Sequence, residues 1–140
     1  MRFIFADTGY WVALLNSRDS LHAKAVQLSK DIQPAHIVTS EMVLTEVLND
    51  FSKRGEYLRL ETVNFIENLR KHPNTTIIPQ TSEQFQDALD LYKQRLDKAW
   101  SHTDCVSFIL MKEHAISDAL AYDKHFPQAG YVALMRNCPR

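Results

Sequence analysis

The chain has 140 residues, 45% apolar and 24% charged, and its 16 Lys and Arg against 17 Asp and Glu give a formal net charge of −1. That length supports one sizeable core, and the composition excludes disorder, collagen and coiled coil. Taken bare, a charge near zero argues against a nucleic-acid-binding protein.

Arg2-Phe3-Ile4-Phe5-Ala6 is a short apolar, aromatic run that stops at Asp7, and it predicts a buried strand. Residues 8–16 have helical spacing, with Trp11, Val12, Leu14 and Leu15 on one broad face and Asp7 or Thr8 as N-cap. A turn over 17–20 leads to a second helix over 21–32. Pro34 sets up a strand over 36–39. Ser40 then caps an amphipathic helix through Met42, Val43, Leu44, Val47, Leu48 and Phe51 that ends near Gly55. Residues 56–71 form another helix, broken by Pro73-Asn74, and residues 75–78 a third strand closed by Pro79. Thr81 or Ser82 caps a helix running to about Leu96 through Phe85, Ala88, Leu89 and Tyr92. Residues 97–102 are a loop, and Thr103 caps a helix over 104–114. A fourth strand spans 116–122 and ends at Asp123. A fifth spans 131–135, at a sheet edge. This alternation predicts one α/β domain over 1–140, with a mainly parallel five-stranded sheet and helices on both faces.

Residue types that are scarce exclude several chemistries. Gly9, Gly55 and Gly130 are the only glycines and lie too far apart for a P-loop or a dinucleotide fingerprint. Cys105 and Cys138 form no CxxC pair or disulfide framework and suit a reducing cytosol. The six histidines show no HExxH. No apolar run approaches ~18 residues without a charge, so no membrane span is expected. An opening stretch with one basic residue and an early Asp7 does not read as a signal peptide. Arg2, Cys138 and Arg140 carry no readable signal. Oxygen-ligated metals remain open.

In a parallel α/β sheet, ligands bind outside the carboxyl ends of the strands. Asp7 ends the first strand, Asp123 ends the fourth, Asp104 opens the helix leading into it, and Glu46 lies inside the apolar stretch VLTEVL. Singly, each is more often a solvated or capping residue. Together at one rim, two carboxylates ~5 Å apart would repel by about 3 kcal/mol at an effective dielectric near 20. Such a cluster raises its own pKa values or recruits a hard cation such as Mg²⁺ or Mn²⁺, which serves phosphodiester chemistry by polarising the phosphoryl oxygen and activating water.

The segments FADTGYWVALLN, SEMVLTEVLND and DKAWSHTDCVSFILMKEHAISDALAYDKHFPQAGY occur in this order and cover essentially the whole chain. In them the chain resembles the PIN-domain ribonucleases, and among these the toxins of VapBC-type toxin–antitoxin modules. The resemblance implies a parallel five-stranded sheet between helices and a Mg²⁺- or Mn²⁺-dependent, cytoplasmic endoribonuclease. It places the acidic quartet at Asp7, Glu46, Asp104 and Asp123, with Thr8 and Thr103 as supporting hydroxyls. Ala121 stands where the family often has Thr. Asp118 is a second acid near the fourth strand, and Asp123 is favoured because it sits at the strand end beside His125-Phe126.

With the quartet set aside the remaining charge is net positive. Lys53, Arg54, Arg59, Arg70 and Lys71, and a second group of Lys93, Arg95 and Lys98, then become candidates for tracking a phosphate backbone, with a solvated helix face as the equal alternative. Trp11 and Trp100 read as core or rim aromatics, His102 and His125 as structural or surface residues, and Cys105 as a small packed residue. Residues 40–71 carry more apolar side chains than one buried stripe requires, which predicts a surface patch. The expected partners are an RNA substrate, a second copy in a homodimer and a small antitoxin whose apolar helix fills a groove beside the acids. The alternatives are a PIN-like RNA- or protein-binding module that has lost catalysis, or a DNA nuclease with the same metal chemistry.

Overall fold

An apolar run placed directly before an aspartate supplies the central strand. In the computed structural model, which describes residues 1–136, the order is β1 (Arg2–Ala6), α1 (Thr8–Leu15), α2 (His22–Asp31), β2 (Ala35–Ser40), α3 (Glu41–Phe51), α4 (Glu56–Lys71), β3 (Thr75–Ile78), α5 (Ser82–Gln94), α6 (His102–Glu113), β4 (Asp118–Leu120), α7 (His125–Gln128) and β5 (Val132–Ala133). Cys138 and Arg140 lie outside the described residues.

The five strands form one sheet in the order β3-β2-β1-β4-β5, and every pairing is parallel. From β1 to β3 the chain moves toward one edge, then crosses back to β4 and moves toward the other. Right-handed crossovers therefore put α1–α4 on one face and α5–α7 on the other. The packing agrees, since α1 packs on α2 and α3, α3 on α4, and α5 on α6. Ile4, Phe5 and Ala6 are fully buried, as strands covered on both faces require. The reversal of direction lies between β1 and β4, so a crevice opens beyond their carboxyl ends.

Several boundaries differ from the expected ones. β4 has only three residues, so Asp118 opens the strand and does not lie within it. β5 is likewise cut to two residues at the sheet edge. α3 stops at Phe51, short of Gly55. α6 is capped by Ser101 and not Thr103. The Ser101 hydroxyl accepts from the Asp104 N–H (3.0 Å), and an Asp104 carboxylate oxygen accepts from the Ser101 N–H (3.0 Å). This reciprocal cap leaves Thr103 buried inside the first turn. α7, a four-residue helix anchored by fully buried Phe126, had no periodic pattern to announce it. Of the apolar residues expected to line α5, only Ala88 is buried. Phe85, Leu89 and Tyr92 are exposed.

Candidate active site

Four separate segments bring acids to the crevice. Asp7 follows β1, and its backbone N–H donates to the Leu120 carbonyl (3.1 Å), which locks it beside the end of β4. Behind it, the buried Thr39 hydroxyl donates to the Ala6 carbonyl (2.9 Å) and accepts from the Trp11 indole (3.2 Å). Asp7 occupies the N-cap position of α1, yet its side chain makes no capping bond there. Its carboxyl is pushed up to about 7, chiefly by burial, with a lesser contribution from repulsion by Asp104, Glu46 and Asp123, while a hydrogen bond from the Thr8 N–H works the other way. Repulsion from the other three expected acids thus reaches Asp7, while among the described residues only Asp104 and Asp123, with His125, place ligand atoms within 4.8 Å of one another.

Glu46 projects from α3 and is half-buried, consistent with its apolar surroundings in sequence. The Thr8 hydroxyl donates to its Oε1 at 2.6 Å. Thr8 thus bonds one of the expected acids, whereas Thr103 makes no side-chain hydrogen bond to them among the described residues. Asp104 is buried, and its Oδ2 accepts from the Ser101 N–H. Asp123 is partly exposed and lies beyond β4, where its Oδ1 accepts from the His125 N–H (2.9 Å).

Asp118 is elsewhere. It sits at the opposite end of β4, and Arg2 donates to its Oδ2 through Nε (3.2 Å) and a terminal nitrogen (2.9 Å). That places Asp123, not Asp118, with the other acids. It also gives Arg2, which carried no signal in sequence, a structural partner.

The residue that sequence reasoning undervalued is His125. Its Nδ1 lies 2.8 Å from Asp104 Oδ2 and 3.1 Å from Asp123 Oδ1. Atoms of Asp104, Asp123 and His125 all fall within 4.8 Å of one another. The available signal was its place two residues after a strand-ending acid. His102 is different: its Nε2 meets the Phe85 carbonyl (3.0 Å) and its ring packs on Phe85, a structural role. Cys105 is buried, with its thiol pushed up to about 11 by burial and by Asp104, so it is a packed residue. Trp11 and Trp100 belong to the core.

The donor set fits a hard cation. It is built of carboxylate oxygens, and among the described residues no Lys or Arg pairs with Asp7, Glu46, Asp104 or Asp123. Asp104 Oδ1 and Asp123 Oδ2 accept no hydrogen bond from described residues and so retain open lone pairs. Four of the eight basic candidates pair with other acids: Arg54 with Asp50, Arg70 with Glu41, and Arg95 and Lys98 with Asp97. No helix among the described residues is long and apolar enough to cross a membrane.

Comparison with known proteins agrees with this geometry. Residues 4–130 match the PIN domain family. The chain is 28% identical over 137 residues to the 23S rRNA-specific endonuclease VapC20 of two Mycobacterium tuberculosis strains, covering 92% of this chain and 95% of each relative. The crystal structure of M. tuberculosis VapC20, described as a sarcin–ricin loop-cleaving toxin, superimposes with a TM-score of 0.83 at 27% identity, covering 93% of this chain and 97% of that one. Matched in sequence from Ile4 to Gly130 and in fold over nearly its whole length, the chain belongs to the PIN domain family.

Proposed function

We propose that this protein is a divalent-metal-dependent endoribonuclease and the toxin of a toxin–antitoxin pair. The carrying observation is a quartet that no Lys or Arg among the described residues neutralises, in which a buried Asp7 is repelled by three other carboxylates at the switch point of the sheet. The names of the relatives support RNA as the substrate, and a stem-loop of large-subunit ribosomal RNA is the first one to test.

Asp7, Glu46, Asp104 and Asp123 would hold Mg²⁺ or Mn²⁺. Such an ion polarises a phosphoryl oxygen, makes a water more acidic and offsets charge on the leaving oxygen. The chain's own contribution is to fix the oxygens. Thr8 restrains Glu46 through Oε1, Ser101 restrains Asp104 through Oδ2, and the β1–β4 ladder fixes Asp7. With water as the nucleophile, the products carry 5′-phosphate ends. Incubation with ribosomal RNA and Mn²⁺, followed by end analysis of the fragments, tests this. Cleavage with 5′-phosphates that is lost in EDTA and in Asp7→Asn is the expected result. Products with 2′,3′-cyclic phosphates, or full activity in EDTA, would overturn it. Binding of the RNA without cleavage would instead favour a non-catalytic PIN module, and equal cleavage of single-stranded DNA a nuclease without RNA preference.

The cytoplasm is the compartment in which such a substrate is met. The partners follow from the outer face of α3 and α4, where Leu48, Tyr57, Leu60 and Val63 remain exposed. This supports a homodimer that accepts an apolar antitoxin helix beside the crevice. Light scattering at high micromolar concentration should show a dimer, and a monomer would count against it.

A further inference from the structure

The quartet explains which oxygens face one another but not what holds Asp104 and Asp123, which come from different elements, in a fixed relation. Asp104 is the third residue of α6, whereas Asp123 lies in the loop between β4 and α7. One residue spans them, through its ring and its backbone N–H. Carboxylate oxygens accept, so the 2.8 Å contact between His125 and Asp104 Oδ2 places a hydrogen on Nδ1. That same nitrogen is 3.1 Å from Asp123 Oδ1.

The bonding is divided in a regular way. Asp104 Oδ2 takes the Ser101 N–H and His125 Nδ1. Asp123 Oδ1 takes the His125 N–H and faces the same Nδ1. In each carboxylate one oxygen is held by N–H groups and the other accepts nothing from the described residues. His125 itself is fixed from below, because Phe126 beside it is fully buried.

Resting on the metal-dependent reading above, we infer that His125 is a positioning residue: by donating its ring N–H to Asp104 Oδ2 and its backbone N–H to Asp123 Oδ1, it sets the spacing of these carboxylates and reserves their second oxygens for the cation. Groups that orient metal ligands in this way typically contribute 10–100-fold to metal affinity.

The test compares Mn²⁺ binding by calorimetry in the native protein, His125→Asn and His125→Leu, with thermal melting of each. Asn can place an amide N–H near the position of Nδ1, whereas Leu fills similar space without a donor. The expected result is a 10–100-fold weaker Mn²⁺ affinity in His125→Leu, substantially restored in His125→Asn, with both variants folded. Native affinity in His125→Leu would overturn the inference. Equal loss in both folded variants would overturn it too, since the imidazole itself would then be needed. If His125→Leu does not fold, native-like affinity in His125→Asn upholds the side-chain N–H and weak affinity refutes it. Failure of the native protein to bind Mn²⁺ would instead bring down the metal-dependent reading, so the two failures are distinguishable.

Discussion

The two ends of the central strand pair β1–β4 both carry aspartates and treat them oppositely. At the starting end, Arg2 meets Asp118 in a two-pronged, partly exposed ion pair. At the finishing end, Asp7 and Asp123 meet two more acids and no Lys or Arg among the described residues. The strands are short, five and three residues, so these opposite treatments lie within a few residues of each other in sequence. A compensated acid stabilises modestly and does no chemistry, whereas a buried acid facing like charges costs stability and is kept for what it binds.

The largest expected effect separates the two ends by activity. Asp7→Asn should lower RNA cleavage by roughly 1,000-fold or more, as when a group acting on transition-state charge is removed. Asp118→Asn should leave cleavage unchanged. Loss of activity in both would mean that the starting end takes part in the reaction.

Stability should move the other way. Asp7 titrates near 7 in the folded protein against an ordinary value of 3.8. Because the folded value is raised, the stability associated with this group is full below 3.8 and lost as pH rises through 7. Ionising it in the metal-free fold costs on the order of 4 kcal/mol. Urea melts should therefore show metal-free Asp7→Asn more stable than the native protein at pH 8, by up to that amount. The gain should shrink as pH falls from about 7 towards 3.8. Saturating Mn²⁺ should reverse the order at pH 8, because only the native protein gains from binding.

The same competition sharpens the metal test. Mn²⁺ must displace the Asp7 proton below about 7, so apparent affinity should fall by up to tenfold per pH unit there and level off above it. Calorimetry across that range measures it, and an affinity independent of pH would remove Asp7 from the ligand set. The smallest effect belongs to the compensated end. An Arg2→Ala, Asp118→Ala double-mutant cycle should yield a coupling of about 0.2–1 kcal/mol, reduced by salt.

The elements that sequence pattern located best are those with local punctuation. α4 begins and β3 ends where expected, because Gly55, Pro73-Asn74 and Pro79 mark the breaks. β4 was overestimated because Ile116 and Ala121 are buried without belonging to the ladder. Hydrophobicity records burial, and hydrogen bonding in the sheet is a separate matter. α5 forms where its spacing predicts, yet Phe85, Leu89 and Tyr92 on its apolar stripe are exposed. Periodicity identifies a face without saying what lies opposite.

For the site, the residues themselves were readable one at a time. An apolar strand stopping at Asp7, a glutamate inside VLTEVL and an acid at the end of the fourth strand are local facts of residue type and position. Their meeting is not local. It depends on β4 pairing with β1 on the side away from β2, which puts the direction change of the sheet between Asp7 and Asp123. Only that arrangement sets Asp118 with Arg2 at the far end of β4 from Asp123, buries Asp7 enough to raise its carboxyl to about 7, and turns His125 from a loop residue into a bridge between two acids. The sequence by itself determined the order of the strands and of the longer helices, and the kinds of side chain at their ends. The tertiary structure decided which of those ends share a crevice, because pKa and hydrogen bonding depend on distance in space and burial, and neither is carried by spacing along the chain.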